Sequence, residues 1–196
     1  MNIGLFFGSF NPVHTGHLII ANYMADYTGL DEIWLVVSPQ NPFKVNDELL
    51  DENARLELLN LAIRDDKRFK AIDVEFHLDR PSYTVNTLSH LRDLHPEHDF
   101  TLIIGGDNLQ NFHRWKDYQE ILKQHKVFVY ARAGIVEKPL LSNNPQIKLF
   151  EVPLLNISST YIRESIQAGK SIRYLIPEPV RILINERNYY QDKDNE

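Results

Sequence analysis

Short apolar runs recur along this chain, and segments whose apolar residues follow helical spacing separate them. Each run is too short for a helix and has few polar positions, which is typical of strands buried on both faces. The runs occupy residues 2–7, 33–37, 71–74, 101–104, 127–130 and 147–150. Helical spacing follows in residues 18–24, 56–63, 85–91, 121–122 and 157–163.

The alternation of these strands and helices predicts an α/β fold with a doubly wound parallel sheet of the Rossmann-like kind. Such sheets bind ligands at the carboxyl ends of their strands. No internal repeat or low-complexity segment interrupts the pattern, so residues 1–190 are predicted to form a single domain. The polar tail, residues 191–196, is expected to fray, and residues 137–146 are expected to form an exposed loop.

Composition narrows the classes of function. The chain has 196 residues, 43% of them hydrophobic, which is enough for one good core. A formal net charge of −6 argues against a nucleic-acid coat or a membrane-surface role, since both need a basic face. The absence of cysteine excludes disulfides, thiolate catalysis and Cys-ligated zinc. With no signal sequence and no apolar run of membrane-spanning length, a cytoplasmic protein is expected.

The first candidate site lies directly after the first predicted strand, in residues 8–17. Gly8 allows the backbone to approach a ligand, Pro12 stiffens the turn and Gly16 leaves room where the next helix begins. The unpaired N–H groups at that helix start favour an anion, and His14 and His17 flank the same point. The pattern indicates a phosphate site.

Two other interpretations of these histidines remain open. Residues His14 and His17 are three apart and could share a metal ion, but a stable site needs a third or fourth ligand that the neighbouring sequence does not supply. A plain strand-to-helix turn with surface histidines is the other interpretation, and it leaves the Gly-Pro-Gly spacing unexplained. No metal site is therefore predicted.

A second candidate element, residues 157–163, follows the last predicted strand. Ser158 and Ser159 are suited to cap a helix and to leave N–H groups facing outward. Arg163 follows Ser159 by four residues, so one phosphate can meet both the helix start and a guanidinium. An ordinary capped helix with a surface arginine is the alternative.

Residues 8–17 match every defined position of G-x-F-x-P-x-H-x-G-H, and residues 157–163 resemble I-S-S-T-x-[IV]-R. Both patterns belong to the nucleotidyltransferase superfamily that carries HxGH in its first loop. Residues 82–88, 103–109 and 112–118 further resemble the S-Y-T-x-D-T, I-x-G-x-D and W-x-x-[YI] elements of bacterial nicotinate mononucleotide adenylyltransferases. The resemblance runs from residue 3 to about residue 187, and Asn86 departs from it where that family usually has Asp.

This resemblance implies a Rossmann-like nucleotidyltransferase fold and transfer of the adenylyl group of ATP, with Mg²⁺, to nicotinate mononucleotide. The implied products are nicotinate adenine dinucleotide and pyrophosphate. The implied catalytic residues are His14, His17, Lys44 and Arg163. The implied ATP-binding residues are Gly8, Ser9, Phe10, His14, His17, Gly105, Asp107, Ile157, Ser158, Ser159 and Arg163. The implied acceptor-binding residues are Asn41, Lys44, Tyr83, Thr84, Trp115 and Arg132.

Several of these residues have plainer interpretations. Trp115 is either a stacking plate for the pyridine ring or a half-buried packing residue. Asp107 is either a ribose or Mg²⁺ contact or a turn-forming residue, and Lys44 alone would be a surface lysine. The acceptor pocket is expected to present hydrogen-bond donors only, with no acidic side chain except Asp117, and this favours a carboxylate acceptor. The remaining histidines are expected to share no ligand spacing. They are His77, His90, His95, His98, His113 and His125.

Three alternative functions remain. An enzyme that also accepts the amide mononucleotide needs a less strict pocket. Phosphopantetheine adenylyltransferases share the first loop but lack the Trp115 element. A non-catalytic nucleotide sensor on the same fold is disfavoured because the intact set of His14, His17 and Arg163 is more than a sensor requires. The sequence leaves open whether the chain is a monomer or a homo-oligomer.

Overall fold

A computed structural model describes residues 1–39, 49–131, 141, 143–153 and 155–191. Its six strands are Asn2–Gly8 (β1), Glu32–Val37 (β2), Phe69–Ile72 (β3), Asp99–Gly105 (β4), Lys126–Ala131 (β5) and Ile147–Glu151 (β6). The α-helices are Thr15–Tyr27 (α1), Glu52–Ile63 (α2), Thr84–Leu94 (α3), Gly106–Asn111 (α4), Tyr118–Gln124 (α5), Ser159–Gln167 (α6) and Glu178–Glu186 (α7). Two 3₁₀ helices span Val74–His77 and Phe112–Arg114.

The strands form one parallel sheet in the order β3-β2-β1-β4-β5-β6. This is a doubly wound arrangement, and the predicted fold class is confirmed. The chain builds outward from β1 to β3 and then returns to place β4 on the other side of β1. Because the winding direction reverses between β1 and β4, a crevice opens outside the carboxyl ends of these two strands.

Both faces of the sheet are buried, which explains the nearly continuous apolar runs. Side chains alternate along a strand, so Leu5 and Phe6 of β1 enter different core clusters, as do Leu35 and Val36 of β2. Helices α1, α2, α6 and α7 pack against one face, whereas α3, α4 and α5 pack against the other. Each helix therefore has one buried apolar face.

Helix α2 begins and helix α3 ends at residues that commonly cap or terminate helices. The Asp51 side chain accepts the N–H groups of Asn53 and Ala54 at 3.0 and 3.2 Å, so Asp51 is the cap of α2. Helix α3 ends at Leu94 with His95 as its C-terminal cap, one residue before Pro96. None of the helices in the described part of the chain is long and apolar enough to cross a membrane.

Three element predictions were wrong or incomplete. Strand β3 ends at Ile72, two residues before the predicted end, and Val74 begins a 3₁₀ helix. As an edge strand, β3 tolerates the polar Lys70, whose amine lies 4.5 Å from the centre of the Trp34 ring. The predicted loop after β4 is helix α4, and α7 was not predicted. The predicted tail, apart from its first residue, and half of the predicted loop at 137–146 lie outside the described residues.

Candidate active site

A pocket of about 460 Å³ occupies the crevice between β1 and β4. Gly8 at the end of β1 and Gly105 at the end of β4 both line it. Three predicted acceptor residues, Tyr83, Thr84 and Trp115, line it as well. Its size is within the range of ligand pockets, roughly 300–1,000 Å³, and its position is the one that the strand order dictates.

The first loop turns sharply between β1 and α1. Phe10 has a φ of 44°, a left-handed conformation that is unusual for an aromatic residue and marks a constrained turn. Its ring is 1% exposed and packs beneath the loop. A Cβ atom at Gly8 would lie 3.0 Å from that ring, so Gly8 is required for this packing. This turn places His14 at the start of α1, where it is the N-terminal cap.

His14 and His17 form a reciprocal cap at the start of α1. The Nδ1 atom of His14 accepts the backbone N–H of His17 at 3.3 Å, and Nδ1 of His17 accepts the backbone N–H of His14 at 3.2 Å. A Cβ atom at Gly16 would lie 3.0 Å from Nδ1 of His14, which explains the glycine between the histidines. The two rings stack with centroids 3.6 Å apart.

This geometry assigns the ring protons. A nitrogen that accepts an N–H bond carries no proton, so each neutral ring has its proton on Nε2. Burial lowers the pKa of His14 to about 4. Burial, and secondarily the charge of His14, lowers the pKa of His17 well below its ordinary value. At neutral pH the pair therefore offers two uncharged Nε2–H donors rather than two cations.

The second predicted motif lies beside the first. The Ser158 hydroxyl accepts the Tyr161 N–H at 3.1 Å and caps α6. The Ser159 hydroxyl donates to the Pro12 carbonyl at 2.9 Å, and Nη1 of Arg163 donates to the Asn11 carbonyl at 2.9 Å. Helix α6 is thus hydrogen-bonded to the loop that carries His14. Ile157, just before the cap, is half-buried and packs against the core.

Aromatic and cationic residues line the part of the pocket that contains the predicted acceptor residues. Trp115 is half-buried and packs on Phe112 with centroids 5.1 Å apart, so it has a packing role while also lining the pocket. The Lys116 amine lies 4.5 Å from the centre of the Tyr83 ring. Lys116 and Arg114 both line the pocket, which adds two positive charges that the sequence analysis did not assign to it.

One expectation about this pocket is wrong, because a carboxyl group lines it. Glu75, in the 3₁₀ helix after β3, is 3% exposed and accepts the Thr87 hydroxyl at 2.8 Å. Burial raises its pKa, while hydrogen bonds from the hydroxyls of Ser38, Thr87 and Ser82 oppose the shift. Asn86, which replaces the family Asp, is exposed on α3 and does not line the pocket.

Asp107, a predicted ATP-binding residue, lies in the first turn of α4 and is exposed. It follows Gly105 by two residues, at the carboxyl end of β4. Its negative charge contributes, after burial, to raising the pKa of the Tyr130 hydroxyl, which lines the pocket at the end of β5. Asp107 is therefore a carboxylate at the edge of the crevice, close to the predicted ribose or Mg²⁺ position.

The sequence did not point to Arg55 as a site residue. Its side chain forms hydrogen bonds with the segments that follow β1 and β2. Its side chain is 1% exposed and donates to four backbone carbonyls. The distances are 2.9 Å to Leu50, 2.6 Å to Ser9, 2.8 Å to Ser38 and 3.2 Å to Pro39. One signal was available: Arg55 precedes the buried Leu58 and Leu59 of α2 by three and four residues, which places it on the buried face.

Three predicted site residues, Asn41, Lys44 and Arg132, lie outside the described residues. Of the others, six line the pocket: Gly8, Ser9, Tyr83, Thr84, Gly105 and Trp115. The two histidines of the first phosphate-type motif and Ser158, Ser159 and Arg163 of the second do not line it but lie in α1, α6 or their caps, and these two elements are hydrogen-bonded to each other through the first loop. The expectation that the remaining histidines share no ligand spacing is wrong for one pair, because His95 and His98 meet around Glu97 at the opposite end of the sheet.

Comparison with known proteins gives concordant results. A family model described as cytidylyltransferase-like matches residues 5–165. A protein of Cytophaga hutchinsonii named "Probable nicotinate-nucleotide adenylyltransferase" is 50% identical over 98% of this chain and 100% of its own length. A Flavobacterium johnsoniae protein of the same name is 47% identical over 97% of this chain and 100% of its own length.

Solved structures share the fold at lower sequence identity. The Plasmodium falciparum nicotinic acid mononucleotide adenylyltransferase complexed with NaAD aligns with a TM-score of 0.81 at 20% identity. The alignment covers 96% of this chain and 97% of the Plasmodium chain. The same enzyme complexed with APC aligns with a TM-score of 0.80.

Proposed function

We propose the function of this chain from one premise, which is that it belongs to the cytidylyltransferase-like family and, within it, to the nicotinate-nucleotide adenylyltransferases. The chain is a nucleotidyltransferase of NAD biosynthesis. It transfers the adenylyl group of ATP to nicotinate mononucleotide and produces nicotinate adenine dinucleotide and pyrophosphate.

One observation supports this function most strongly. Two helix starts that are suited to bind phosphate lie next to a pocket lined by aromatic residues. Arg163 and Ser159 of α6 are hydrogen-bonded to the loop that presents His14 and His17. The ring of Phe6 lines the pocket and lies 6.2 Å, centroid to centroid, from the His17 ring. Two substrates can therefore lie side by side, with ATP over the helix starts and the mononucleotide in the pocket.

The reaction needs no protein nucleophile. A phosphate oxygen of the mononucleotide attacks the α-phosphorus of ATP, and the bond to pyrophosphate breaks. A phosphomonoester already carries about −1.5 to −2 charges at neutral pH, so no general base is required. Positioning and charge stabilisation remain as the catalytic tasks.

We assign these tasks to residues on both helix starts. The Nε2–H groups of His14 and His17 would donate to phosphate oxygens, with His17 nearest the α-phosphate. Their neutral state means that the positive charge must come from elsewhere. Arg163 supplies positive charge for the β- and γ-phosphates. Lys44, which lies outside the described residues, is predicted to supply a second positive charge to the phosphates.

Nucleotidyltransferases of this kind generally use a divalent metal ion with ATP. We propose Mg²⁺, which prefers oxygen ligands and commonly binds through one or two carboxylates together with substrate phosphates. Asp107, an exposed carboxylate at the crevice edge, fits that donor set, whereas His14 and His17 offer only ring nitrogens. The chemistry that a bound Mg²⁺ supplies is neutralisation of charge on the transferring phosphates.

The pocket favours the acid over the amide form of the acceptor. Arg114 and Lys116 line it and favour a carboxylate, and Glu75 is already engaged by three hydroxyl groups. An amide would leave donors that face the carboxylate unpaired, at a cost of about 1–3 kcal/mol for each donor that the bound substrate buries. We expect kcat/KM for nicotinate mononucleotide to exceed that for nicotinamide mononucleotide by at least about a hundredfold.

Substitutions at Trp115 independently test whether the pyridine ring of the acceptor stacks on this side chain. Trp115→Ala should weaken both acceptors alike, because stacking does not distinguish the acid from the amide. Trp115→Phe is the matched control, since it keeps an aromatic face against Phe112 and should retain most of the activity. Equal kcat/KM for the two acceptors in the wild type would instead indicate a dual-specificity enzyme.

A further inference from the structure

A second cluster of ligand-type side chains lies at the opposite end of the sheet from the nucleotide crevice. His95, Glu97 and His98 occupy the short turn between α3 and β4. Strand β4, with seven residues, separates this turn from Gly105 by about 20 Å. None of the three residues takes part in the proposed reaction.

The three side chains converge on one oxygen atom. Oε1 of Glu97 lies 3.7 Å from Nδ1 of His95 and 3.3 Å from Nε2 of His98. The three candidate ligand atoms all lie within 4.8 Å of one another. Two ligands bound to a tetrahedral Zn²⁺ at about 2.1 Å are roughly 3.4 Å apart, so small side-chain movements suffice to enclose a cation.

The turn that carries these ligands is held by the backbone. The His95 N–H donates to the Leu91 carbonyl at 2.9 Å, and the His98 N–H donates to the His95 carbonyl at 3.0 Å. The terminal amine of Met1 donates to the Glu97 carbonyl at 3.3 Å, and the Asp99 N–H donates to the Met1 carbonyl at 2.9 Å. A fixed backbone reduces the ordering that metal binding requires.

Ring packing orients both histidines while leaving access from solvent. The rings lie nearly parallel, with centroids 5.5 Å apart, and both are in edge contact with Trp34, at 5.3 Å for His95 and 5.9 Å for His98. The side chains of His95 and Glu97 are 36% and 61% exposed. A hydrated cation can therefore reach the ligands and keep a water molecule in its fourth position.

From this geometry we propose that His95, Glu97 and His98 form a binding site for a divalent transition-metal ion of the Zn²⁺ type. Two imidazoles and one carboxylate are a donor set that suits Zn²⁺ and Ni²⁺, whereas Mg²⁺ prefers oxygen ligands only. The buried Nδ1 of His98 has no hydrogen-bond partner among the described residues. Because no hydrogen bond from a neighbouring group orients the His98 ring, we expect the site to bind Zn²⁺ with micromolar affinity, more weakly than a structural zinc centre does.

Trp34 provides a direct reporter. The chain has two tryptophans, so in a Trp115→Phe background Trp34 is the only one. We expect Ni²⁺, added to the full chain without ATP, to quench Trp34 fluorescence with a saturable micromolar dependence. Added Zn²⁺ should reverse the quenching by displacing Ni²⁺, and calorimetry should show one Zn²⁺ ion bound per chain. Excess Mg²⁺ should neither reverse the quenching nor bind at this site.

Variants test the assignment. Glu97→Gln and His95→Ala should each weaken binding by at least about tenfold. Glu97→Gln alters a largely exposed side chain and should leave the fold intact. His77→Ala is the matched control, because His77 also lies beside a carboxylate, at 3.5 Å from Asp73, but has no second ligand-type neighbour in the part of the chain that the structure describes. Its binding curve should match that of the parent protein.

Thermal unfolding gives a second readout. An ion that binds only the folded chain raises the unfolding midpoint. Zn²⁺ should therefore raise the midpoint of the wild type and not that of Glu97→Gln. Unsaturable quenching, or binding that is unchanged in Glu97→Gln and His95→Ala, would overturn the proposal.

Discussion

The imidazoles of His14 and His17 each have two different functions at their two ring nitrogens. Nδ1 accepts a backbone N–H and caps α1, and Nε2 is left as an uncharged donor. Burial keeps both rings neutral. The histidines therefore cap the helix and, in the proposed reaction, also bind phosphate, so substitution by alanine removes both roles at once.

Substitution of His17 by glutamine separates them. A glutamine three residues after the cap can still accept the His14 N–H, as in a capping box. We expect His17→Gln to retain the unfolding free energy of the wild type and His17→Ala to lower it by about 1 kcal/mol. Both should lower kcat far more than they raise the KM for ATP, by about 10²–10³ for His17→Ala.

Steady-state kinetics and urea denaturation measure these effects side by side. If kcat is unchanged in His17→Ala while stability falls, His17 serves the helix alone.

The low pKa of His14 predicts a pH dependence of stability. Its ordinary pKa of 6.5 falls to about 4 in the folded chain, so the unfolded chain binds more protons between these values. The unfolding free energy should therefore fall as the pH is lowered from about 6.5 towards 4. Because one pKa unit corresponds to about 1.4 kcal/mol, His14 should account for roughly 2 kcal/mol of the loss between pH 7 and pH 5.

His14→Asn is the comparison, since asparagine is a good helix cap and does not titrate. Denaturant unfolding across this pH range should give a shallower slope for the variant. Parallel slopes would mean that His14 titrates normally.

Among the secondary-structure elements, helix α2 reaches the active site through Arg55. This side chain donates to the carbonyls of Ser9 and Ser38, which follow β1 and β2. Arg55 is a positioning residue, because it acts on the loop conformation and does not line the pocket.

Loss of Arg55 should affect both stability and substrate binding. Arg55→Met fills a similar volume but leaves buried carbonyls without donors, so we expect a loss of about 3 kcal/mol in unfolding free energy. The KM for ATP should also rise, because the Ser9 carbonyl is released. Arg64→Met is the control, since Arg64 is 56% exposed at the end of the same helix. Equal stability of both variants, measured in urea, would contradict this role.

Local patterns predicted most of the elements. Continuous apolar runs located β1, β2, β4 and β5 closely, because strands buried on both faces are apolar throughout. The run at 147–150 also located β6, although this edge strand is mostly exposed. Strand β3 was displaced because an edge strand need not be apolar. Helix α4 was missed because its six residues hold a single buried apolar side chain, Leu109, which is too little for a periodic signal.

The two site motifs were readable because each lies in one continuous stretch next to a strand. Arg55 and Glu75 were not, since their roles depend on partners distant in sequence. Arg55 contacts Ser9, 46 residues away, and Glu75 contacts Thr87, 12 residues away. Helical spacing can place Arg55 on the buried face of α2, but only the folded chain shows which groups it is paired with.

The arrangement of the whole molecule follows from the reversal of winding between β1 and β4. That reversal opens the crevice, and each substrate is met by a different group of elements. In the proposed reaction the starts of α1 and α6 bind ATP, and the start of α3 with the Trp115 segment binds the acceptor. The proposed metal site lies at the other end of the sheet, so Zn²⁺ binding and adenylyl transfer should be separable.

Pyrophosphate release tests the account most directly. The full chain is incubated with ATP and Mg²⁺, and each of nicotinate mononucleotide, nicotinamide mononucleotide and phosphopantetheine is added in turn. We predict pyrophosphate release only with a pyridine mononucleotide, fastest with the acid, and an equal amount of the matching dinucleotide, which for the acid is nicotinate adenine dinucleotide. Release with phosphopantetheine at a comparable rate, or ATP binding without release for any acceptor, would contradict it.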